Sequence, residues 1–448
     1  MKTKTSTTTH AAASTAGAAF KTAAAILTLS GPPSLHASPG GDAPSAVASP
    51  AASAPVPTPK ASTENPPHFT VHEWGTFTSV AGSGGKLLTG VERGEEDLPY
   101  FVYAHDGIFP NYGGGLTKGW LRPLANVTVR METPVIYFYT DKPFAAQVDV
   151  GFKGGSISQW YPQRSAGETA PAPARSANGK LDFKATTLDF GKPYEGSIQW
   201  KVDVIPAGDD AAGRVFKFNE TTSWLHPRQT DSALVRTAEG ETEKYLFYRG
   251  LGNFQPPVTF TASGDGAVTV SNTGGSPTGE LILFENTGGK ARWIALPAIQ
   301  GGQSAAANPH SQPLRDNWRT DVYEEGAKML ERAGLFRKEA DAMMQTWWGS
   351  YFEREGTRVF WIVPSEFTDK TLPMAIIPAP AKTVRVMVGR TEILTPAFES
   401  RLVAEFNAAG QQENGQANPW GTDRFFPAYQ ERVNQLQGRI ARATGQTK

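Results

Sequence analysis

The sequence predicts an α+β protein that is mostly β: an antiparallel, sandwich-like β region over residues 68–310, followed by a mixed α/β region over 311–448 packed on it. Two observations carry this expectation. Between 68 and about 300 the apolar period is two, in short runs rich in Val, Ile, Thr, Phe, Tyr and Trp that Gly, Asn, Pro and Asp clusters separate, with no alternating helices between them. After about 311 the period changes to that of a helix, with two strand-like runs embedded in it.

Taken in order, residues 1–37 read as a Sec-type signal peptide. Lys2 and Lys4 precede a short apolar run, Ala23–Leu29, and Leu35, His36 and Ala37 offer small-residue cleavage chemistry before Ser38. The run falls well below the roughly 20 apolar residues that span a bilayer, so no transmembrane segment is expected in the mature chain. Residues 38–67 are an Ala/Pro/Ser linker with too few large apolar side chains to fold. Strands are expected at 68–80, 134–140, 145–152, 181–190, 197–205, 243–249, 266–271, 279–285 and 290–297. The last three read as a meander, because Asn272 and Asn286 each open an Asn-Thr-Gly-Gly turn. Val322, Tyr323, Gly326, Met329, Leu330 and Ala333 then fit one helix face, which Gly334 stops. Phe336, Ala340, Met343, Met344, Trp347, Trp348, Tyr351 and Phe352 fit a second. Strands return at 357–364 and 383–390. A helix opens at Thr395-Pro396 and closes at Gly410, and a last one carries Tyr429, Val433, Leu436 and Ile440 on one stripe.

Composition excludes several function classes. The 448 residues contain 43 Lys+Arg against 43 Asp+Glu, a balance without the positive surplus that nucleic acid or an anionic membrane attracts. The absence of cysteine removes disulfides, thiolate metal sites and a cysteine nucleophile. No cofactor motif is present. Ala81-Gly-Ser83-Gly-Gly85 imitates a nucleophile elbow, but the residues after it are too Gly-interrupted for the helix that elbow requires. Gly113 and Gly250 likewise begin Gly-rich turns without a phosphate-cradle context.

The chemistry-bearing candidates lie on strands. His68 and His72 are four apart, about 13 Å along a strand, too far to share one zinc, so no metal site is expected. Strand parity puts Phe69, Val71, Glu73 and Phe77 on one face and His72, Trp74, Thr76 and Thr78 on the other. Glu73 therefore joins the more apolar face, where a carboxylate must be paired or protonated. Glu132 precedes the apolar run Val135–Tyr139. Arg249 shares a face with Tyr245 and Phe247, Arg358 with Phe360 and Ile362, and Arg390 with Val384, Val386 and Val388. If they converge, Glu73 and Glu132 are the catalytic candidates, and His72, Trp74, Arg249, Arg358 and Arg390 are the ligand-binding ones. If they do not, they are clamps between strands, with Arg249, Arg358 or Arg390 expected as the partner of Glu73.

Four blocks, Val71–Ala81 with its His-Glu-Trp-Gly-Thr-Phe-Thr core, Met131–Thr140, Tyr248–Phe254 and Arg354–Pro364, resemble in that order a group of uncharacterised exported bacterial proteins. The resemblance implies a standalone exported protein and supplies no catalytic residue, because the group has no established function. The expectation is a periplasmic or extracellular protein that binds an envelope component or polymer, or has a structural role, without catalysis. The alternative is a cofactor-free hydrolase of a glycan or peptide-like polymer, using Glu73 and Glu132 with arginine support.

Overall fold

The computed structural model describes residues 68–94, 98–104, 124–168, 178, 189–208, 214–215, 217, 222–410 and 419–443. The leader and linker, most of the run expected at 181–190, His105 and Gly113 lie outside them. In chain order the strands are β1 (Thr70–Ala81), β2 (Tyr103–Ala104), β3 (Val129–Met131), β4 (Val135–Tyr139), β5 (Phe144–Lys153), β6 (Gly155–Tyr161), β7 (Glu195–Ile205), β8 (Leu234–Arg236) and β9 (Thr242–Glu243). They continue as β10 (Leu246–Gly252), β11 (Val258–Ala262), β12 (Val268–Asn272), β13 (Leu281–Thr287), β14 (Lys290–Leu296), β15 (Ser304–Ala307), β16 (Gly356–Ile362), β17 (Met374–Ile377) and β18 (Lys382–Ile393). The helices are α1 (Arg319–Arg332), α2 (Arg337–Trp348), α3 (Ser365–Thr371), α4 (Pro396–Gly410) and α5 (Phe426–Ala443).

The protein is mostly β, with its helices towards the C-terminus. Among the described residues fifteen strands form one sheet, whose main path runs β14-β13-β16-β18-β1-β3-β10-β6-β7-β5-β17. Two features differ from the expected antiparallel pattern. At its centre β1 and β18 run parallel over twelve paired positions, from Thr70 opposite Lys382 to Ala81 opposite Ile393. The sheet also runs through residue 310, since β16 pairs with β13 and β18 with β1. The expected meander is divided: β13 and β14 are a hairpin in the large sheet, whereas β12 joins β11 and β15 in a separate three-stranded sheet. Strand periodicity fixes which side chains share a face, but not which strand lies next door.

Both faces of β1 are buried. Phe69, Val71 and Phe77 enter a core with Val148 and Val150 of β5 and Ile198 and Trp200 of β7. Trp74, on the other face, enters a core built with α1 and α2 from Val322, Leu330, Ala340, Met343 and Trp347. A third core joins Val80 and Leu251 to Leu402 of α4 and Tyr429 and Val433 of α5. Gly334 ends α1 with a φ of 114°, the left-handed conformation that the sequence assigns to it. Trp347 is buried as the helical spacing requires, and one π-helical turn, Gly349–Glu353, carries Tyr351 and Phe352 onward into the same core.

Candidate functional site: a buried arginine centre on the helical face

The strand lane between β1 and β10 is interrupted. β3 stops at Met131 and β4 resumes at Val135, because Pro134 has no N–H to give to the ladder. Glu132 sits in that gap. Its N–H still donates to the Thr76 carbonyl at 2.9 Å, and its own carbonyl accepts from Arg249 Nε at 2.7 Å. Gly75 permits the approach of this segment: a Cβ there would lie 2.8 Å from Pro134 Cα. Opposite the gap, β10 changes register between Arg249 and Gly250, a bulge of the kind that re-aims a side chain.

Three guanidiniums surround the Glu132 carboxylate. Arg130 Nε donates to Oε2 at 3.1 Å, Arg249 Nη2 stands 3.8 Å from Oε2, and Arg424, from the loop before α5, bonds Oε1. All four side chains are buried. Burial alone would raise the Glu132 carboxyl, but Arg424, Arg130 and Arg249 outweigh it and hold the group down at about 2. Arg249 is lowered as well, to about 9, by burial and by the Arg130 charge. Glu92 approaches the group through Arg130, to which its carbonyl bonds, and burial raises its carboxyl.

A second cluster lies on the other side of β1. Glu392 accepts from Arg358 Nε at 3.1 Å and from Arg390 Nε at 3.0 Å. Burial raises its carboxyl, but Arg358, Arg390 and Arg354 bring it below the usual range. Arg358 also caps the chain end after Tyr351, donating to the carbonyls of Tyr351, Arg354 and Glu355. Tyr351 joins the two clusters: Arg390 lies over its ring at 4.5 Å, its hydroxyl donates to Thr76 Oγ1 at 2.7 Å, and the Glu132 charge raises its phenol after burial has done so. Phe425 lies beneath Arg424, Arg390 and Arg354 at 4.9, 5.3 and 5.6 Å.

Of the residues the sequence singles out, Glu132, Arg249, Arg358 and Arg390 thus gather on the helical face. Glu73 does not join them. It lies on the opposite face, fully buried, where Arg385 Nε and the Tyr248 hydroxyl each donate to it at 2.7 Å. Its partner is therefore none of the three expected arginines but Arg385, its direct neighbour in the β1–β18 register. Glu73 and Glu132 open onto different sides of one sheet, an arrangement that gives no support to their acting as acid and base on one substrate.

His72 and Trp74 are on the helical face but away from the arginines. His72 Nδ1 is 2.8 Å from Glu339 Oε2, with its ring stacked on Phe336 at 4.5 Å. Glu339 also takes the Tyr139 hydroxyl at 2.8 Å and the Phe336 N–H at 2.7 Å, so it ties the start of α2 to β1 and β4. Trp74 is core, 6.3 Å from the Tyr137 ring. Ser83 lies in a tight turn after β1, bonded through N and Oγ to Glu399 of α4, which Arg432 of α5 grips with two nitrogens. No histidine contacts Ser83 among the described residues, and no cluster of three His, Asp or Glu there is arranged to hold a metal ion.

Arg130, Arg424, Glu392, Arg385 and Glu339 escape the sequence reading. A signal for two of them is present. Arg130-Met-Glu132, which begins on β3 and ends just past it, and Arg390-Thr-Glu392 on β18 are both Arg-x-Glu, and the period of two places each acid beside its own arginine. Those two strands flank β1, with Arg130 and Arg390 both aligned on Thr78. Arg424 and Glu339 come from distant elements and have no local signature.

No protein-family model matches the chain, and no curated protein matches it significantly.

Proposed function

We propose that the chain is an exported protein of the cell envelope that binds an envelope component or polymer, or serves a structural role, without catalysis of its own. The observation that carries the non-catalytic part is the state of the two carboxylates. Glu132 is held at about 2 by its guanidiniums, which makes it a poor proton acceptor at neutral pH and no acid at all. Glu73 is closed off by Arg385 and Tyr248 on the other face. The export part rests on the leader pattern over residues 1–37, and on the resemblance to exported bacterial proteins. No helix among the described residues is long and apolar enough to cross a membrane.

Two measurements test this reading. N-terminal sequencing of periplasmic or secreted material is expected to begin near Ser38; recovery of the intact Met1 chain from cytosol alone would defeat export. For the catalytic question, Glu73→Gln and Glu132→Gln are expected to lower the denaturation midpoint, as clamps do. Functional sites are commonly less than optimal for stability, so a variant as stable as the parent that loses a hydrolytic activity would favour the hydrolase instead.

A further inference from the structure

The outward face of β17, β5 and β7 is built from residues that strands disfavour. Inward, β5 and β7 send Val148, Val150, Ile198, Trp200 and Val202 into the core. Outward, β5 presents Ala145, Gln147, Asp149 and Gly151, and β7 presents Ser197, Gln199, Lys201 and Asp203. Ala, Gly, Asp and Lys are poor strand formers, and none of the eight is β-branched or aromatic. Thr or Tyr at the same exposed positions would make a more stable sheet. A local rule broken so consistently points to another use for the face.

Register turns these residues into a ladder. Ala375 of β17, Asp149 and Gln199 lie in one row across the sheet, and Ile377, Gln147 and Lys201 lie in the next. Asp149 accepts from Gln147 Nε2 at 2.7 Å and from Gln199 Nε2 at 2.6 Å, one amide on each carboxylate oxygen. Both amides are thereby oriented, and their carbonyl oxygens accept no hydrogen bond among the described residues. Two hollows of about 330 and 430 Å³ lie over these rows, each of a size that holds a ligand. They adjoin where Gln147, which lines the second, bonds Asp149, which lines the first. Ala166 and Gly167 border the first hollow beside β7, and Pro373 borders it beside β5. Ile377, 61% exposed, borders the second.

We propose that this trough binds a neutral polysaccharide chain, with the Gln147–Asp149–Gln199 ladder on its hydroxyls and Ala375 and Ile377 against its ring faces. Two carboxylates in the lining, Asp149 and Asp203, balance Lys201 and Arg236, so neither an anionic nor a cationic polymer gains by entering. Sugar hydroxyls donate and accept at once, which suits a row of fixed carboxylate and amide oxygens beside an ammonium. The apolar side chains of β17 suit the C–H face of a pyranose ring. A peptide strand would need a free backbone edge, whereas β5 is paired with β17 on one side and β7 on the other over positions 147–150. The inference rests on the polymer-binding reading above, and names the class of polymer and its place on the fold.

The test is electrophoresis of the full chain in native gels that contain a soluble β-glucan, galactomannan or arabinoxylan, with polygalacturonate and glycol chitosan as charged controls. Retardation by at least one neutral polymer, and by neither charged one, is expected. Asp149→Thr and Gln199→Thr each remove hydrogen bonds worth about tenfold in affinity, and the double variant is expected to run unretarded. Because Thr suits an exposed strand position better, that variant is also expected to melt at or above the parent. Ala375→Arg leaves the ladder intact and fills the first hollow; it too is expected to abolish retardation. A parent that no neutral polymer retards, or that a charged one retards equally, overturns the proposal, as does retardation that survives in either variant. A double variant that melts well below the parent, or does not fold, makes the ladder a brace and overturns it as well. A chain exported with Ser38 at its N-terminus and recovered with envelope material, yet unretarded, loses this inference alone; one that is neither exported nor retarded loses the broader reading with it.

Discussion

The two faces of the sheet at β1 handle buried charge differently. On the side that packs against β5 and β7, Glu73 meets one guanidinium and one phenol, and Arg385 has a second carboxylate in the exposed Asp369 at 2.7 Å. Positive charge there is matched, and one of its partners reaches solvent. On the helical side Glu132 meets three arginines and Glu392 two, with both carboxylates at most 8% exposed along the side chain. The contrast follows from position. Glu73 and Arg385 face each other across one parallel register, whereas the helical face collects two strand-borne Arg-x-Glu units and adds arginines from β10, β16 and the loop before α5. A matched pair clamps two neighbouring strands; the arginine clusters of the helical face clamp several distant elements at once.

This comparison is open to experiment. The largest effect is expected for Glu132→Gln, which leaves three buried guanidiniums without their shared counter-ion. Breaking a buried pair typically costs about 3–5 kcal/mol, and this site belongs at the upper end. A fall of that order in the urea-derived unfolding free energy checks it; a change near zero would mean that the arginines are solvated. Glu73→Gln is expected to cost about 3 kcal/mol, because Arg385 keeps Asp369. The double variant Glu73→Gln with Arg385→Met should recover part of that loss, and strictly additive effects would show that the two side chains do not interact.

Acid titration probes the helical face without mutation. The Glu132 carboxyl lies at about 2 in the folded protein against an ordinary 4.5. The folded value is depressed, so its contribution is complete above the unfolded value and is lost as pH falls towards the folded one. Between pH 7 and pH 3 that amounts to about 2 kcal/mol from this group, and Glu392 adds in the same direction. Fluorescence-monitored unfolding midpoints at pH 7, 5, 4 and 3 should fall mainly below pH 5; a flat profile would contradict the cluster. The smallest effect is expected at Lys338, whose ion pair with Asp231 at 2.6 Å is exposed on both sides. Lys338→Ala should leave the midpoint unchanged within error, since such pairs contribute little.

Much of this was legible in the residues. Period two placed Arg249, Arg358 and Arg390 on the faces they occupy, and the helical pattern from Phe336 to Phe352 located α2 with its buried Trp347. Parity also separated Glu73 from His72 and Trp74, although the second face of β1 proved as deeply buried as the first. What could not be read was adjacency. Nothing local says that β18 lies beside β1, so Arg385 could not be named as the partner of Glu73, nor could the Arg130 and Arg390 units be seen to flank the same strand. The break at Glu132 was signalled by Pro134 alone, and its use as the meeting point of three arginines depends on chain segments as distant as Arg424.

The parallel register of β1 and β18 has a consequence in time. Glu73 and Arg385 are separated by 312 positions, yet they meet at the centre of the sheet. Contacts of such separation make folding slow, because a long stretch of chain must be closed before they contribute. During synthesis β1 emerges early and waits, with both apolar faces uncovered, until nearly the whole chain is available. The sheet therefore cannot be completed from the N-terminal end. For a chain that crosses a membrane unfolded, that delay keeps it competent for passage; for one that stays behind, the same exposed strand is the first place where aggregation would begin.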